Sequence, residues 1–217
     1  MIDSWKYQKE LKKKKIPNQQ ELIMMIDTIP QARIKALISI AYLTGGRISE
    51  IVPIKYLYKT TYTQQEIKGK IKLIQIKKEK IPHIYKGICR KDLNYENFDG
   101  QKMLIIDIEN RKNRQRHLKR IPVPVEKESR FIKYIDDYTQ TLEVQQPLFK
   151  FGTHRAWVII RKYTGYNCHM FRDIRATHLV TLYNFNAWKL KLYLGWTDIR
   201  PSENYVILNI RDIWTGV

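Results

Sequence analysis

His169, Arg172, Trp196 and Tyr205 are the residues of this chain whose types and spacing could do chemistry together. His169 and Arg172 stand three apart at the start of a helical pattern, so their side chains project from one face. Trp196 follows Leu194-Gly195, and Tyr205 comes nine residues after that tryptophan. An imidazole, a guanidinium, an indole N–H and a phenol suit chemistry on a phosphodiester. A phenol has a free pKa of about 10 and needs cations and a base before it attacks at neutral pH. A transferring phosphoryl group carries negative charge on oxygens that fixed cationic donors can hold.

Three helices must position this set. The segment Phe171 to Tyr183 has apolar residues at 171, 174, 179 and 182. Gly195 predicts the stop of a short helix from Ala187 to Leu194. Pro201 suits the first turn of a third, which would carry Tyr205. Upstream, Asn18-Gln19-Gln20-Glu21 has the form of a capping box and predicts a helix to about Asp27. Pro30 opens the next, apolar at 34, 37, 38, 41 and 42 and ending at Thr44-Gly45-Gly46. Arg47 then points off the end of the core, and Pro53 limits the next segment to a short or kinked helix.

The middle of the chain reads as β-structure. Ile71-Lys72-Leu73 and Ile74-Gln75-Ile76 predict a strand with one apolar and one basic face. Met103 to Ile108 and His117 to Val123 predict a hairpin whose tip, Arg111-Lys112-Asn113-Arg114, is strongly basic. Helices return over Glu126 to Tyr138 and Thr153 to Tyr163, with Trp157 and Ile160 expected to face in. Trp188 reads as core packing and His178 as a residue that caps or packs. The expected fold class is mainly α with a small antiparallel β-sheet (α+β).

The 217 residues carry 40 Lys+Arg against 21 Asp+Glu, a formal net charge of +19 and a pI near 9.8. Such a balance signals a polyanionic partner. No amphipathic membrane helix is visible and the basic residues are spread along the chain, so nucleic acid is favoured over an anionic membrane. No apolar run approaches the roughly 20 residues that cross a bilayer, and the basic N-terminus lacks the h-region of a signal peptide. Cys89 and Cys168 have no CxxC spacing and read as buried or free thiols. A cytoplasmic setting follows. Residues 1–17, with Lys12 and Lys13 in a run of four lysines, form either a basic arm on phosphates or a solvated tail.

Together these residues resemble the catalytic domain of the tyrosine recombinase (phage integrase) family over about 18–217. The marks are Thr44-Gly45-Gly46-Arg47-Ile48-Ser49-Glu50, a basic hairpin, His169-x-x-Arg172 followed by Ala176-Thr177-His178-Leu179, Leu194-Gly195-Trp196, and Tyr205. The resemblance implies that Arg47 and Arg172 clamp the scissile phosphate and that His169 is an acid/base. It implies that Trp196 donates its indole N–H, that Lys112 protonates the departing 5′ oxygen and that Glu50 supports Arg47. Tyr205 would form a 3′-phosphotyrosine, with no metal and no cofactor. Arg111, Arg114, Lys119, Lys12 and Lys13 are expected on DNA, and Lys119 is the alternative catalytic lysine. A DNA-bound homo-oligomer, a tetramer, is implied.

Two departures from the family pattern stand out. Arg47 and Lys112 are far apart, which makes the region around 57–100 an insertion. The core-binding domain that precedes this unit in the family is missing, so residues 1–17 replace it, or the chain is a minimal or cut-down form. The roles in competition are viral or mobile-element integration, chromosome-dimer resolution, topoisomerase IB-like relaxation, and DNA binding without cleavage. Asp107-Ile108-Glu109 before Lys112 is a weaker match to a metal-dependent nuclease, because the lysine stands at the wrong spacing.

Overall fold

A computed structural model of the chain describes residues 16–67, 70–110 and 117–206. Its centre is helix α2 (Ala32–Thr44), whose residues from Ala36 to Thr44 are all buried. A helix apolar on nearly every side belongs inside a fold. It is preceded by α1 (Gln19–Asp27). There the expected capping box forms, Glu21 N–H donating to Asn18 Oδ1 at 2.8 Å and Asn18 N–H to Glu21 Oε2 at 2.8 Å. Helix α2 starts two residues after Pro30, with Gln31 as N-cap.

A single turn, α3 (Ile48–Ile51), leads into the strands. Strands β1 (Ile54–Ile67) and β2 (Lys70–Tyr85) pair antiparallel into a two-stranded ribbon. At the usual rise per residue it is about 50 Å long. Its base is tied down where Tyr85 O–H donates to the Glu50 carbonyl at 2.6 Å. Gly87 turns the chain there at φ 75°, and a Cβ would stand 2.7 Å from the Ile51 carbonyl oxygen, so only glycine fits. The strand expected over 71–76 forms within β2, and its apolar residues Ile71, Leu73 and Ile76 are 73%, 69% and 64% exposed. Two strands alone supply no layer to bury them.

A second sheet is the antiparallel meander β3 (Leu93–Phe98), β4 (Gln101–Asn110) and β5 (His117–Pro124). The segment expected as one insertion therefore divides into the ribbon and a strand that belongs to the meander. Helices α4 (Ser129–Thr139), α5 (Thr153–Thr164), α6 (Cys168–Tyr183) and α7 (Ala187–Leu194) follow, and residues 200–206 are helical. Helix α2 packs against α4 and α6, with the Tyr42 and Phe131 rings 4.5 Å apart. The chain is thus mainly helical with antiparallel sheets.

Three apolar assignments are corrected. Trp157, Leu182 and Trp188 are exposed. Arg161 lies over the Trp157 ring and Lys191 over the Trp188 ring, so each surface indole has a cationic partner at one ring face. His178 is buried as expected, with Nδ1 2.9 Å from Tyr42 Oη and Nε2 3.0 Å from the Pro17 carbonyl. Both cysteines are free thiols.

A buried ion pair that sequence reasoning missed joins the layers. Arg175, fully enclosed in α6, pairs with Glu128 just before α4. Glu128 also accepts from Tyr183 O–H at 2.7 Å and Gln19 Nε2 at 2.8 Å, while Arg175 donates to Tyr193 Oη at 3.0 Å. Charges so deep are tolerated because nearly every polar atom is engaged.

Candidate active site

The site forms where α2 and α7 end. An α-helix leaves its last carbonyls without intrahelical donors, and those carbonyls carry partial negative charge. Gly45 ends α2 in the left-handed conformation (φ 53°), and Gly195 does the same for α7 (φ 65°). The carbonyls of Gly45 and Leu194 each accept a hydrogen bond from Arg172, from Nη1 and Nη2 respectively, both at 2.7 Å. Arg172 is 2% exposed. Its guanidinium is therefore held at the junction of two helix ends. Gly45 is required there twice, since a Cβ would come 2.5 Å from Leu194 Cδ2 as well as being strained at positive φ.

The turn after α2 sets Arg47. Thr44 O–H donates to the Ile40 carbonyl at 2.6 Å, and its oxygen accepts from Gly46 N–H at 3.0 Å. Arg47 then caps α3. Its backbone N–H and its Nη1 reach the two carboxylate oxygens of Glu50, each at 2.9 Å. Glu50 is buried and holds the half-buried Arg47 side chain by two bonds.

Lys119 arrives from β5. Side chains alternate along a strand, so Lys119 shares a face with the buried Ile121 and Val123, while Leu118 and Pro122 face outward. Its ammonium nitrogen is buried, has no hydrogen-bond acceptor among the described residues and lies 5.9 Å from the Tyr193 ring centroid. Burial, followed by repulsion from Arg172 and Arg47 that Glu50 partly offsets, pulls its pKa down to about 7. Arg172 is lowered to about 10, by burial first and then by Arg47, while Glu50, Tyr205 and Asp173 oppose the shift. Three cations and the carboxylates of Glu50 and Asp173 thus share one electrostatic environment.

Tyr205 lies in the helical stretch 200–206, as the proline at 201 predicted. Its ring stacks on Trp196 at 5.8 Å between centroids and 16° between planes. The Arg172 guanidinium lies 5.0 Å from the centroid of that same indole. The Tyr205 hydroxyl donates to Asp173 Oδ1 at 2.5 Å. Asp173, which sequence reasoning passed over, is 3% exposed beside Arg172. Nothing in its spacing marks it, because its meaning depends on a residue 32 positions away.

Arg47, Glu50, Arg172, Trp196 and Tyr205 are therefore brought together, and Lys119 joins them. His169 is an exposed residue in the first turn of α6, one turn before the buried Arg172. Lys112, Arg111, Arg114, Lys12 and Lys13 lie outside the described residues, as does the tail after 206. Asp107, offered by the nuclease alternative, accepts from Arg120 Nε at 3.3 Å. Among the described residues no group of three or more His, Cys, Asp and Glu could hold a metal ion. No described helix is long and apolar enough to cross a membrane.

No family model matches the chain, and no curated protein matches it significantly. Among solved structures it is similar to the XerH site-specific recombinase bound to palindromic difH substrate in a post-cleavage complex. That likeness has 16% identity and a TM-score of 0.49, and covers 92% of this chain and 51% of the other. It is also similar to XerH bound to difH substrate in a pre-cleavage complex, at 17% identity and a TM-score of 0.47, covering 91% and 52%. The chain spans about half the length of these recombinase chains.

Proposed function

We propose that this protein cleaves and rejoins double-stranded DNA by transesterification at Tyr205, as a site-specific recombinase. The observation that carries the reading is the shared indole: Trp196 stacks on Tyr205 and also lies under Arg172, with Arg47 and Lys119 in the same electrostatic environment. A phenol beside clustered cations is the arrangement that phosphoryl transfer needs.

In this reading the scissile phosphate sits against Arg172 and Arg47, whose remaining N–H groups hold its non-bridging oxygens. Tyr205 Oη attacks phosphorus, the bond to the 5′ oxygen breaks and a 3′-phosphotyrosine forms. Lys119, in its ammonium form, gives its proton to the departing oxygen. A donor of pKa about 7 is well matched to that task at neutral pH. This moves the acid from Lys112, the first choice on sequence grounds, to Lys119. His169, in the first turn of α6, acts at the edge of the phosphate. Rejoining runs the same steps backwards, so neither a metal nor a high-energy cofactor is consumed.

The biological setting we propose is integration or excision of a viral or other mobile element in the cytoplasm of a host cell. The tryptophan at 196 and the long ribbon of 54–85 favour that role over chromosome-dimer resolution or topoisomerase-like relaxation. Exchange between paired sites then requires several copies on DNA, a tetramer in the full reaction.

A nicked duplex that loses its short 5′ fragment traps the intermediate. Incubated with the protein in EDTA and run on a denaturing gel, it is expected to give a protein–DNA adduct. Retarded DNA on a native gel without any adduct would identify a binding protein, and metal-dependent cutting that leaves no attached protein would identify a nuclease.

A further inference from the structure

The hydrogen bond from the Tyr205 hydroxyl ends on a carboxylate that the family resemblance leaves without a role. Asp173 Oδ1 accepts it at 2.5 Å, and Asp173 is 3% exposed. The residue is fixed by its helix, being the immediate neighbour of the anchored Arg172 and offering its own carbonyl to Thr177 O–H at 3.0 Å. The phenol is fixed from a second side by the Trp196 stack. Proton, acceptor and cationic cluster therefore coincide before any substrate arrives.

From this geometry we infer that Asp173 is the general base for the nucleophile, taking the phenolic proton as Tyr205 attacks phosphorus. The inference rests on the cleavage reading above. The balance is complete: the Oη–H bond breaks and Asp173 becomes a neutral acid. The Oη–P bond forms as the P–O5′ bond breaks, and the electron pair leaving with O5′ takes a proton from Lys119. Rejoining returns both protons. Free phenol is a weaker acid than a free carboxylic acid by about 6 pKa units. Transfer must therefore be coupled to Oη–P bond formation, which removes electron density from the phenolic oxygen. Arg172 and Arg47 favour the developing negative charge in the same step. A carboxylate already in contact can act within that event without diffusion or reorientation.

Base and acid can be separated with two DNA substrates that differ at one atom, oxygen or sulfur at the bridging 5′ position. A thiolate leaves without protonation, since a thiol has a free pKa of about 8.5. Lys119→Met should be slow on the oxygen substrate and restored on the sulfur one. Asp173→Asn, which keeps shape and hydrogen bonding but not basicity, should be slower by about 10²–10⁴ on both, with DNA binding retained. The wild-type chain on the sulfur substrate should still react more slowly in heavy water, because one proton remains in flight. That measurement does not depend on any variant folding. Asp173→Asn at or above the wild-type rate, its rescue by sulfur, or the lack of a solvent isotope effect would overturn the inference. If the wild-type chain forms no adduct with either substrate, the cleavage reading itself fails; an adduct that tolerates Asp173→Asn removes only the base.

Discussion

Replacing Lys119 by methionine tests the electrostatics of the site more sharply than any other single change. Methionine keeps an aliphatic stem and removes the nitrogen that lies 5.9 Å from the Tyr193 ring centroid, buried near Arg172 and Arg47. Loss of a general acid is expected to slow strand cleavage by about 10²–10⁴. Because that nitrogen is destabilised by burial and by two cations, its removal should leave folding unharmed or slightly improved. The sign of the pH dependence comes from the same shift. Only the ammonium form donates, and the pKa of the free protein is lowered from 10.5 to about 7. The second-order rate of adduct formation should thus be level below pH 7 and fall about tenfold per unit above it. Bound phosphate, being anionic, pushes the lysine back up, so the rate with saturating DNA should hold to higher pH. The assay is single-turnover adduct formation across pH 5.5–9.5 for the wild type, Lys119→Met and Lys112→Met. A second-order rate that climbs through pH 7–9, or a Lys112→Met variant that loses cleavage while Lys119→Met keeps it, would refute the assignment.

Other expectations come from the packing. Arg175→Met strands a buried carboxylate at Glu128 and should cost about 3–5 kcal/mol in urea unfolding, whereas exchanging both partners for apolar residues should cost far less. Gly45→Ala forces a Cβ against Leu194 at a positive φ. It should destabilise the fold by about 1–3 kcal/mol and loosen Arg172, read as slower cleavage at saturating DNA. DNA affinity should fall steeply with salt, with a log–log slope steeper than about −4 if more than four phosphates are neutralised; a flat response in fluorescence anisotropy would oppose a DNA footprint.

The helical frame was legible because its signals are local. Asn18 with Glu21, glycine after α2 and α7, and Pro201 before Tyr205 are start and stop signs that need only neighbouring residues. Arg47 and Arg172 could be named from their motifs, but not the helix-end carbonyls that hold Arg172. Lys119 carried a readable sign, since strand alternation puts it with Ile121 and Val123 on the inner face. The hairpin tip with Lys112 lies outside the described residues. Asp173 and the Glu128–Arg175 pair were invisible, because each takes its meaning from contacts dozens of residues away. Trp157 and Trp188 stand on the surface for a related reason: an indole finds a partner in a neighbouring cation as well as in a core.

Cleavage as proposed joins the Tyr205 oxygen covalently to a DNA 3′ phosphate. Digesting the trapped adduct to peptides and locating the attached nucleotide by mass spectrometry tests it directly. The expected result is a nucleotide on the peptide containing Tyr205 and its loss in Tyr205→Phe, which should still bind DNA. A nucleotide on any other residue, or an adduct that persists in Tyr205→Phe, would rule out Tyr205 as the nucleophile.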